Sequence, residues 1–193
     1  MDKFQNKYRI PSSRLQNWNY GSPGLYFITV CTKNREHYFG EIINGEMILN
    51  ELGGFVNSEW IKTPAIRPDM NLELGEFVVM PNHFHGIMII GENEFNRRDA
   101  MHRVSTPPNA TPHNPPPHAK NKFGPQSKNL GSIMRGFKST VTTHSKILNI
   151  EFGWQARFHD HIIRSHEEFI RISKYILNNP SSWKDDKFFN GSS

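Results

Sequence analysis

The order of strands and helices along the sequence limits the chain to few folds. Residues 25–32 are apolar or β-prone at almost every position, as in a central strand covered on both faces. Further strands are predicted at 72–80, 83–90 and 154–164, with one helix after the first strand and another before the last. This strand, helix, strand, strand, helix, strand order is ferredoxin-like. We therefore expect an α+β fold, an antiparallel sheet with helices on one face and an extra C-terminal helix that carries Tyr175.

Local signals define a hairpin and the first helix. Asn44-Gly45 lies between two short apolar runs and predicts a two-residue hairpin turn. Asn50 follows as a helix cap, and Pro64 is expected to end the helix that begins there. The pair Gly53-Gly54 weakens this helix, because glycine is a poor helix former. The hairpin adds to the ferredoxin-like core without changing its order.

The two later helices carry apolar stripes at helical spacing. The stripe of the helix that begins at residue 130 comprises Ile133, Met134, Phe137 and Val141. In the last helix Ser165 is followed three residues later by Glu168, which predicts a capping box, and Pro180 closes the helix. The buried face predicted for that helix comprises Phe169, Ile172, Ile176 and Leu177.

A change in composition divides the chain. Residues 91–128 carry seven of the thirteen prolines and three histidines, with few large apolar side chains. Such a segment buries too little surface to offset its ordering entropy, which predicts a flexible insertion. Residues 1–24 are predicted to be a polar N-terminal arm and residues 25–184 the folded domain that contains the insertion. Residues 185–193 are predicted to be a tail.

The charge balance favours an anionic partner. Lys and Arg number 23 against 18 Asp and Glu, which gives a net charge of +5 and a pI near 9.4. Residues 96–128 alone contain six basic residues against one acidic residue, so this stretch accounts for the whole excess and the other residues sum to zero. A basic pI is typical of nucleic-acid-binding proteins, although here it does not by itself imply a basic folded surface.

The sequence excludes several classes of protein. The longest apolar runs fall far short of the roughly 20 residues that a membrane helix needs. The N-terminus MDKFQNKYRIPSS contains no apolar segment of the kind found in signal peptides. The single cysteine, Cys31, excludes an internal disulfide and a multi-cysteine zinc site. We therefore expect a soluble cytoplasmic protein with no membrane partner.

Two histidine pairs at alternate strand positions are candidate metal ligands. His83 and His85 flank Phe84, so both imidazoles project from one face of a strand and can bind a divalent ion together. The alternative is a hydrogen-bonded pair at the start of a strand. His159 and His161 have the same spacing. For them a structural role or a contact with DNA is the favoured interpretation.

Tyr175 lies on the flank of the last helix, with Asn179 one turn later on the same side. Tyrosines at such positions commonly pack at the boundary of an amphipathic helix. Next to a metal ion, the phenol could attack a phosphodiester while Asn179 supplies an oxygen ligand. A mixed nitrogen and oxygen set of this kind suits Mg²⁺ or Mn²⁺.

Four segments together resemble the single-tyrosine HUH transposases, in particular the REP-associated tyrosine transposases. They are GLYFITVCT with YFGEI after it, FVVMPNHFHGIMII, LGSIMRGFKSTVTT, and WQARFHDHIIRSHEEFIRISKYILNNPSSW. With the polar N-terminal arm they span nearly the whole chain apart from the insertion at 91–128. The combination of PNHFHGI with downstream WQ, IIR and YILNNP is far more specific than either half alone.

The resemblance implies an activity and a set of site residues. His83 and His85 match the HUH metal ligands, Tyr175 the nucleophile, and Asn179 the position that contributes to the metal site. Members of this family cut single-stranded DNA beside an imperfect hairpin. The tyrosine becomes joined to the 5′ phosphate, and attack by a 3′-OH later rejoins the strands. The resemblance thus implies an enzyme of DNA transposition or repeat-element processing that uses Mg²⁺ or Mn²⁺ and works at the nucleoid.

Basic residues close to these motifs are candidates for contact with the DNA backbone. They are Arg135, Lys138, Arg157, Arg164, Arg171 and Lys174. Two other functions stay open: a non-catalytic DNA-binding protein that recognises repeat hairpins, and a metal-dependent hydrolase that uses both histidine pairs. Members of the family include monomers and dimers that exchange the tyrosine helix, so a homodimer is open as well.

Overall fold

The computed structural model describes residues 3–4, 7–8, 18–97 and 128–189. Most of the predicted insertion, from residue 98 to residue 127, lies outside the described residues, as does most of the predicted N-terminal arm. Within the arm, strands β1 (Lys3–Phe4) and β2 (Lys7–Tyr8) pair antiparallel with each other. All further statements concern the described residues.

Four strands form the central sheet: β3 (Gly24–Cys31), β6 (Leu72–Met80), β7 (His83–Ile90) and β8 (His159–Ile163). They are ordered β6-β7-β3-β8, and every neighbouring pair is antiparallel. The central strand β7 is buried at seven of its eight positions, because a strand with neighbours on both sides and helices on both faces contacts little solvent. This order is the ferredoxin-like one, which confirms the predicted fold class.

The predicted hairpin is present beside this sheet. Strands β4 (Gly40–Ile43) and β5 (Glu46–Leu49) pair around Asn44 and Gly45. Both turn residues have positive φ, 53° and 82°, as the turn type favoured in two-residue hairpins requires.

Helices cover both faces of the central sheet. Helices α1 (Glu51–Ile66) and α2 (Leu130–Ile147) pack on each other over one face. Helix α3 (His166–Asn178) covers the other face through Ile172 and Ile176, which pack against Ile87 and Ile163 of the sheet. The extra C-terminal helix therefore occupies the face that the ferredoxin-like core leaves open. None of the helices in the described part of the chain is long and apolar enough to span a membrane.

The main core lies between the sheet and the first two helices. The predicted stripe of α2 is buried there, as are large side chains from all the other elements that meet at this layer. Among them are Tyr26, Ile28, Phe84, Met88, Trp60 and Phe137. Burial of these apolar side chains is the dominant favourable term in folding.

The last strand is shorter than the sequence pattern predicts. It spans residues 159–163 only, and Trp154 makes an isolated bridge to Thr32. Arg157 has a φ of 69°, which is incompatible with a continuous strand. The ammonium of Lys138 accounts for this bend, because it donates to the carbonyl oxygens of Gln155 and Arg157, at 2.8 Å each.

Three details of the helices differ from prediction. Pro64 lies inside α1, which continues to Ile66. Proline lacks only the hydrogen bond that its own N–H would donate to the preceding turn. Its carbonyl still accepts from the amide of Arg67, so the helix can continue past it. Leu177 is 59% exposed and is not among the residues that pack α3 on the sheet, so the buried face is narrower than predicted. At the start of α3, Ser165 accepts from the amide of Glu168 as predicted. The Glu168 carboxylate instead accepts from the amide of Arg164, so the capping box is incomplete.

Candidate active site

Strand β7 presents two buried histidines to the same side of the sheet. His83 and His85 are 0% and 1% exposed, and their ring centroids lie 4.5 Å apart. Phe84 points to the opposite side, where its ring lies 4.7 Å from that of Trp60 in the main core. The alternation of the strand therefore places both imidazoles under α3 while the residue between them anchors the strand.

A second group of side chains fixes how each imidazole points. Nδ1 of His83 donates to the amide oxygen of Asn82 at 2.9 Å, because that oxygen can only accept. Nδ1 of His85 lies 2.8 Å from the hydroxyl of Thr29 on the neighbouring strand. Both Nε2 atoms are left for the site. Nε2 of His83 is buried and makes no hydrogen bond with any described residue.

Helix α3 brings Tyr175 to these histidines. The Tyr175 hydroxyl lies 3.2 Å from Nε2 of His85 and donates to Oδ2 of Asp186, also at 3.2 Å. Its ring packs edge-on against Phe27. Burial and the negative charge of Asp186 raise the pKa of Tyr175 to about 12. The chain by itself therefore keeps the phenol protonated at neutral pH.

The segment after α3 folds back and completes the cluster. A short 3₁₀ turn, Trp183–Asp185, leads to Asp186, whose Oδ2 also accepts from Nδ2 of Asn179 at 2.8 Å. Two residues later the Phe188 ring packs 4.6 Å from the ring of His83. The Phe188 carbonyl accepts from Nδ2 of Asn82 at 2.9 Å. The start of the predicted tail, residues 185–189, thus packs against the site.

The cluster has the donors that a divalent cation needs. Ligand atoms of His83, His85 and Asp186 all lie within 4.8 Å of one another. Burial lowers the pKa of His83 to about 3, and burial together with neighbouring His83 holds the pKa of His85 well below its usual value. Both rings are therefore neutral at physiological pH, the state in which imidazole binds metal. Oδ1 of Asn179 is buried and makes no hydrogen bond with any described residue, so it offers one more oxygen.

The structure separates the six basic residues predicted to contact DNA. Arg171 and Lys174 lie on α3 with Tyr175 and are exposed, although Arg171 also pairs with Glu168 at 3.4 Å. Arg157 is exposed in the loop before β8. The other three lie elsewhere or make internal contacts: Arg135 on α2, across the sheet from Tyr175; Lys138 on the carbonyls of that loop; and exposed Arg164 just after β8.

The second histidine pair has a different environment. His159 and His161 lie opposite Thr29 and Phe27 in the ladder between β8 and β3, on the face that also carries His85. Both are exposed. Nε2 of His161 pairs with the Glu168 carboxylate at 2.8 Å, which links β8 to α3. Among the described residues, the only group of three or more close His, Cys, Asp or Glu ligands is the one around His83.

The chain is similar to known proteins in sequence and in fold. No protein-family model matches the sequence. A protein of uncharacterised function from Haemophilus influenzae strain Rd is 37% identical over 185 residues, which cover 92% of each chain. The two chains belong to one family. The fold matches that of a REP-associated tyrosine transposase bound to a REP hairpin, with a TM-score of 0.54 and 20% identity over 92% of this chain and 77% of that one.

One residue of the cluster is missed by sequence reasoning. Asp186 lies in the segment WKDDKFF, where two adjacent aspartates and two lysines give no periodic pattern. Its neighbour Asp185 is exposed, and the sequence offers no means of choosing between them. The nearby aromatic residues Trp183 and Phe188 were the available signal, since large apolar side chains indicate that a terminal segment is packed.

Proposed function

We propose that the protein is a transposase-like enzyme that cuts and rejoins single-stranded DNA through Tyr175, with a divalent cation as cofactor. The meeting of the Tyr175 hydroxyl with His85 and Asp186, at 3.2 Å each, carries the proposal. A weak nucleophile such as a phenol requires activation by adjacent groups or a metal, and both are available at this position. A tyrosine that merely packed at a helix boundary would not need this set of partners.

The proposed reaction conserves the number of phosphodiester bonds. The phenolic oxygen of Tyr175 attacks the phosphorus of the DNA backbone and forms a new P–O bond. The bond from phosphorus to the 3′ oxygen breaks, and that oxygen takes up a proton to become a free 3′-OH. The tyrosyl proton leaves through the hydrogen bond to Asp186. Attack by a 3′-OH on the tyrosyl phosphate reverses these steps and rejoins strands, so no ATP is consumed.

His83 and His85 would hold the cation, with oxygen ligands from Asn179 and Asp186. Two nitrogen and two oxygen donors suit Mn²⁺, and Mg²⁺ when phosphate and water oxygens are added. Bound there, the cation supplies Lewis-acid polarisation of the scissile phosphate. The chain contributes two neutral imidazoles. Asn82 orients the ring of His83, and Thr29 that of His85, through contact with the Nδ1 atom of the ring.

Single-stranded DNA that contains a hairpin is the proposed substrate. The protein that shares this fold is bound to a REP hairpin. The exposed cations Arg171 and Lys174 lie on the helix that carries Tyr175, where they can attract the DNA backbone. An enzyme of this kind acts at the nucleoid, in DNA transposition or in the processing of repeat elements. It needs no second copy of the chain, because Tyr175 and His85 meet within one chain.

The test is formation of a covalent protein–DNA product. Purified protein is incubated with Mn²⁺ or Mg²⁺ and labelled single-stranded hairpins from the DNA that flanks the gene, then separated under denaturing conditions. We expect an adduct for the wild type and none for Tyr175→Phe or in EDTA. The matched control is Tyr38→Phe, since among the residues that the structure describes the Tyr38 hydroxyl bonds only to Glu36 and lies outside the cluster. This control is expected to form the adduct at the wild-type rate.

Two results would redirect the proposal. Hairpin binding on a native gel without any adduct would favour the non-catalytic DNA-binding protein. Strand cleavage that persists in Tyr175→Phe would favour a metal-dependent hydrolase. An adduct that depends on both Tyr175 and the cation excludes both alternatives.

A further inference from the structure

A cavity of about 440 Å³ lies beside the histidine cluster, between the end of β3, the loop before β8 and the C-terminal segment. We propose that this cavity binds one unpaired nucleotide of the DNA strand, next to the phosphodiester that Tyr175 attacks. The inference rests on the proposed function, which it extends from a reaction to a specificity subsite. Residues outside the metal cluster form it.

The cavity adjoins the histidine cluster. Thr29 and Phe188 both line it and both touch the cluster. The Thr29 hydroxyl lies 2.8 Å from Nδ1 of His85, and the Phe188 ring lies 5.8 Å from the ring of His85. A strand whose backbone lies at the cluster therefore has its neighbouring nucleotide within reach of the cavity.

The side chains that line the cavity are mainly cationic where they are charged. Three cationic side chains line the cavity, those of Arg35, Arg157 and Lys187. None of its lining residues, all in the described part of the chain, carries a carboxylate. This distribution favours the phosphate of a nucleotide over a cationic or neutral ligand.

The lining of the cavity also contains aromatic rings. Phe158 and Phe188 line the same cavity, and the aromatic ring is the surface on which unpaired bases stack. The Arg35 guanidinium lies 5.3 Å and the Lys187 ammonium 4.8 Å from the centre of the Phe188 ring. The cations therefore lie next to the ring. In one nucleotide the phosphate likewise lies near the base, so the cations could contact the phosphate while the base contacts an aromatic ring.

The wall of the cavity is built before any ligand binds. The amide of Gln155 donates to the carbonyl of Cys31 at 2.8 Å, and Lys138 holds the carbonyls of Gln155 and Arg157. Arg157 adopts a left-handed φ of 69°, a conformation that costs energy for a long side chain such as that of arginine. Strain that the surrounding contacts sustain is common at ligand sites, and here it directs the loop between Trp154 and β8.

Lys187 links the cavity to the residues around Tyr175. Besides the first cavity it lines a second one, of about 300 Å³, which also borders Tyr175 and Asn179. The two cavities therefore share Lys187. Asp185 and Asp186 also line the second cavity, so its charge does not favour a phosphate and the nucleotide is assigned to the first cavity alone.

The experiment measures binding, in EDTA, of a fluorescein-labelled DNA hairpin that carries a single-stranded (dT)₁₂ extension, and one abasic position is moved along that extension. The variants are Phe158→Leu, which keeps an apolar side chain, and Arg157→Asn, because asparagine readily adopts a left-handed φ. Lys146→Gln, an exposed cation at the end of α2, is the matched charge control. Circular dichroism verifies that each variant is folded, and Arg157→Asn keeps the test intact if Phe158→Leu fails to fold.

Two results are expected. One abasic position weakens binding to the wild type about tenfold, and the same position has no further effect on Phe158→Leu, which is weakened about tenfold itself. Arg157→Asn lowers the slope of log affinity against log salt by about 0.7, the value for one phosphate contact on a single strand, and Lys146→Gln leaves it unchanged. Independent effects of Phe158 and every abasic position, or equal slopes for both charge variants, would overturn the subsite.

These measurements separate the subsite from the proposed function. Binding in EDTA requires no cleavage, whereas the covalent adduct requires Tyr175 and the cation. An adduct without the coupling at Phe158 disproves the subsite alone. Coupling without an adduct disproves the reaction and leaves the nucleotide subsite in place.

Discussion

The hydroxyl oxygen of Tyr175, on helix α3, lies 3.2 Å from Nε2 of His85, on strand β7. The two residues are ninety positions apart, and the sheet face that carries His85 is the one α3 covers. Ile172 and Ile176 of α3 fix this contact, because they pack on Ile87 and Ile163 of the sheet. The apolar face of α3 therefore holds the helix on the sheet. Tyr175, which lies at the side of that face, is thereby placed at the cluster.

Asp186 is expected to strengthen cation binding. Its carboxylate is the one negative charge among the clustered donors, so Asp186→Asn should weaken Mn²⁺ binding at least about tenfold in calorimetric titration. Asp185→Asn is the matched control, because Asp185 is exposed and outside the cluster. Equal Mn²⁺ affinities in the two variants would show that Asp186 does not contribute to the site.

The buried histidines are expected to make the metal-free protein sensitive to acid. The pKa values of His83 and His85 are lower in the folded chain than in the unfolded chain, where they lie near 6.5. Below about pH 6.5 the unfolded chain binds protons that the folded chain does not, so stability falls as the pH falls. The loss approaches about 1.4 kcal/mol per pH unit for each ring until the folded pKa is reached.

Urea unfolding at pH 7, 6 and 5 in EDTA measures this dependence. The double variant His83→Gln, His85→Gln should lose most of the histidine contribution to the slope. His166→Gln should retain it, because His166 is exposed. A slope that is the same in all three proteins would contradict the assignment of neutral imidazoles to the folded state.

The adjacent glycines of α1 are expected to respond oppositely to alanine. A Cβ at Gly53 would lie 2.0 Å from the backbone oxygen of Phe39, whereas a Cβ at Gly54 meets nothing within 4 Å. Gly53→Ala should therefore lower the free energy of unfolding by at least about 2 kcal/mol. Gly54→Ala should raise it by about 0.5–1 kcal/mol, since alanine is the better helix former. Chemical denaturation measures both, and a stable Gly53→Ala protein would contradict the close approach of the Phe39 backbone to α1.

Asn82 is expected to hold the C-terminal segment against the cluster. Its fully buried side chain donates to the carbonyls of Arg35 and Phe188 and accepts from His83. Asn82→Ala leaves buried partners unpaired, at a cost of about 1–3 kcal/mol for each group that water cannot reach. We expect faster hydrogen exchange at residues 186–189 as well as lower stability. Unchanged exchange in that segment would show that its apolar contacts suffice.

Short-range patterns account for most of the predicted elements. Asn44-Gly45 specified its hairpin because both residues tolerate positive φ, and the alternating β7 predicted that His83 and His85 share a face. The errors occur where distant groups intervene. Lys138 bends the loop that the sequence assigns to the last strand, and α3 packs on the sheet through Ile172 and Ile176 while Leu177 stays exposed. Neither effect is contained in the local pattern.

By itself the sequence determined the order of the elements, the ferredoxin-like sheet and the shared side of the two histidines, since hydrophobic periodicity and turn chemistry act over a few residues. Only the tertiary structure decided that Asp186 joins the histidines, that Lys138 supports a loop, and that a basic aromatic cavity lies beside the cluster. These contacts join segments far apart in the chain. Their formation depends on where the packed sheet and helices carry each side chain, which no local pattern specifies.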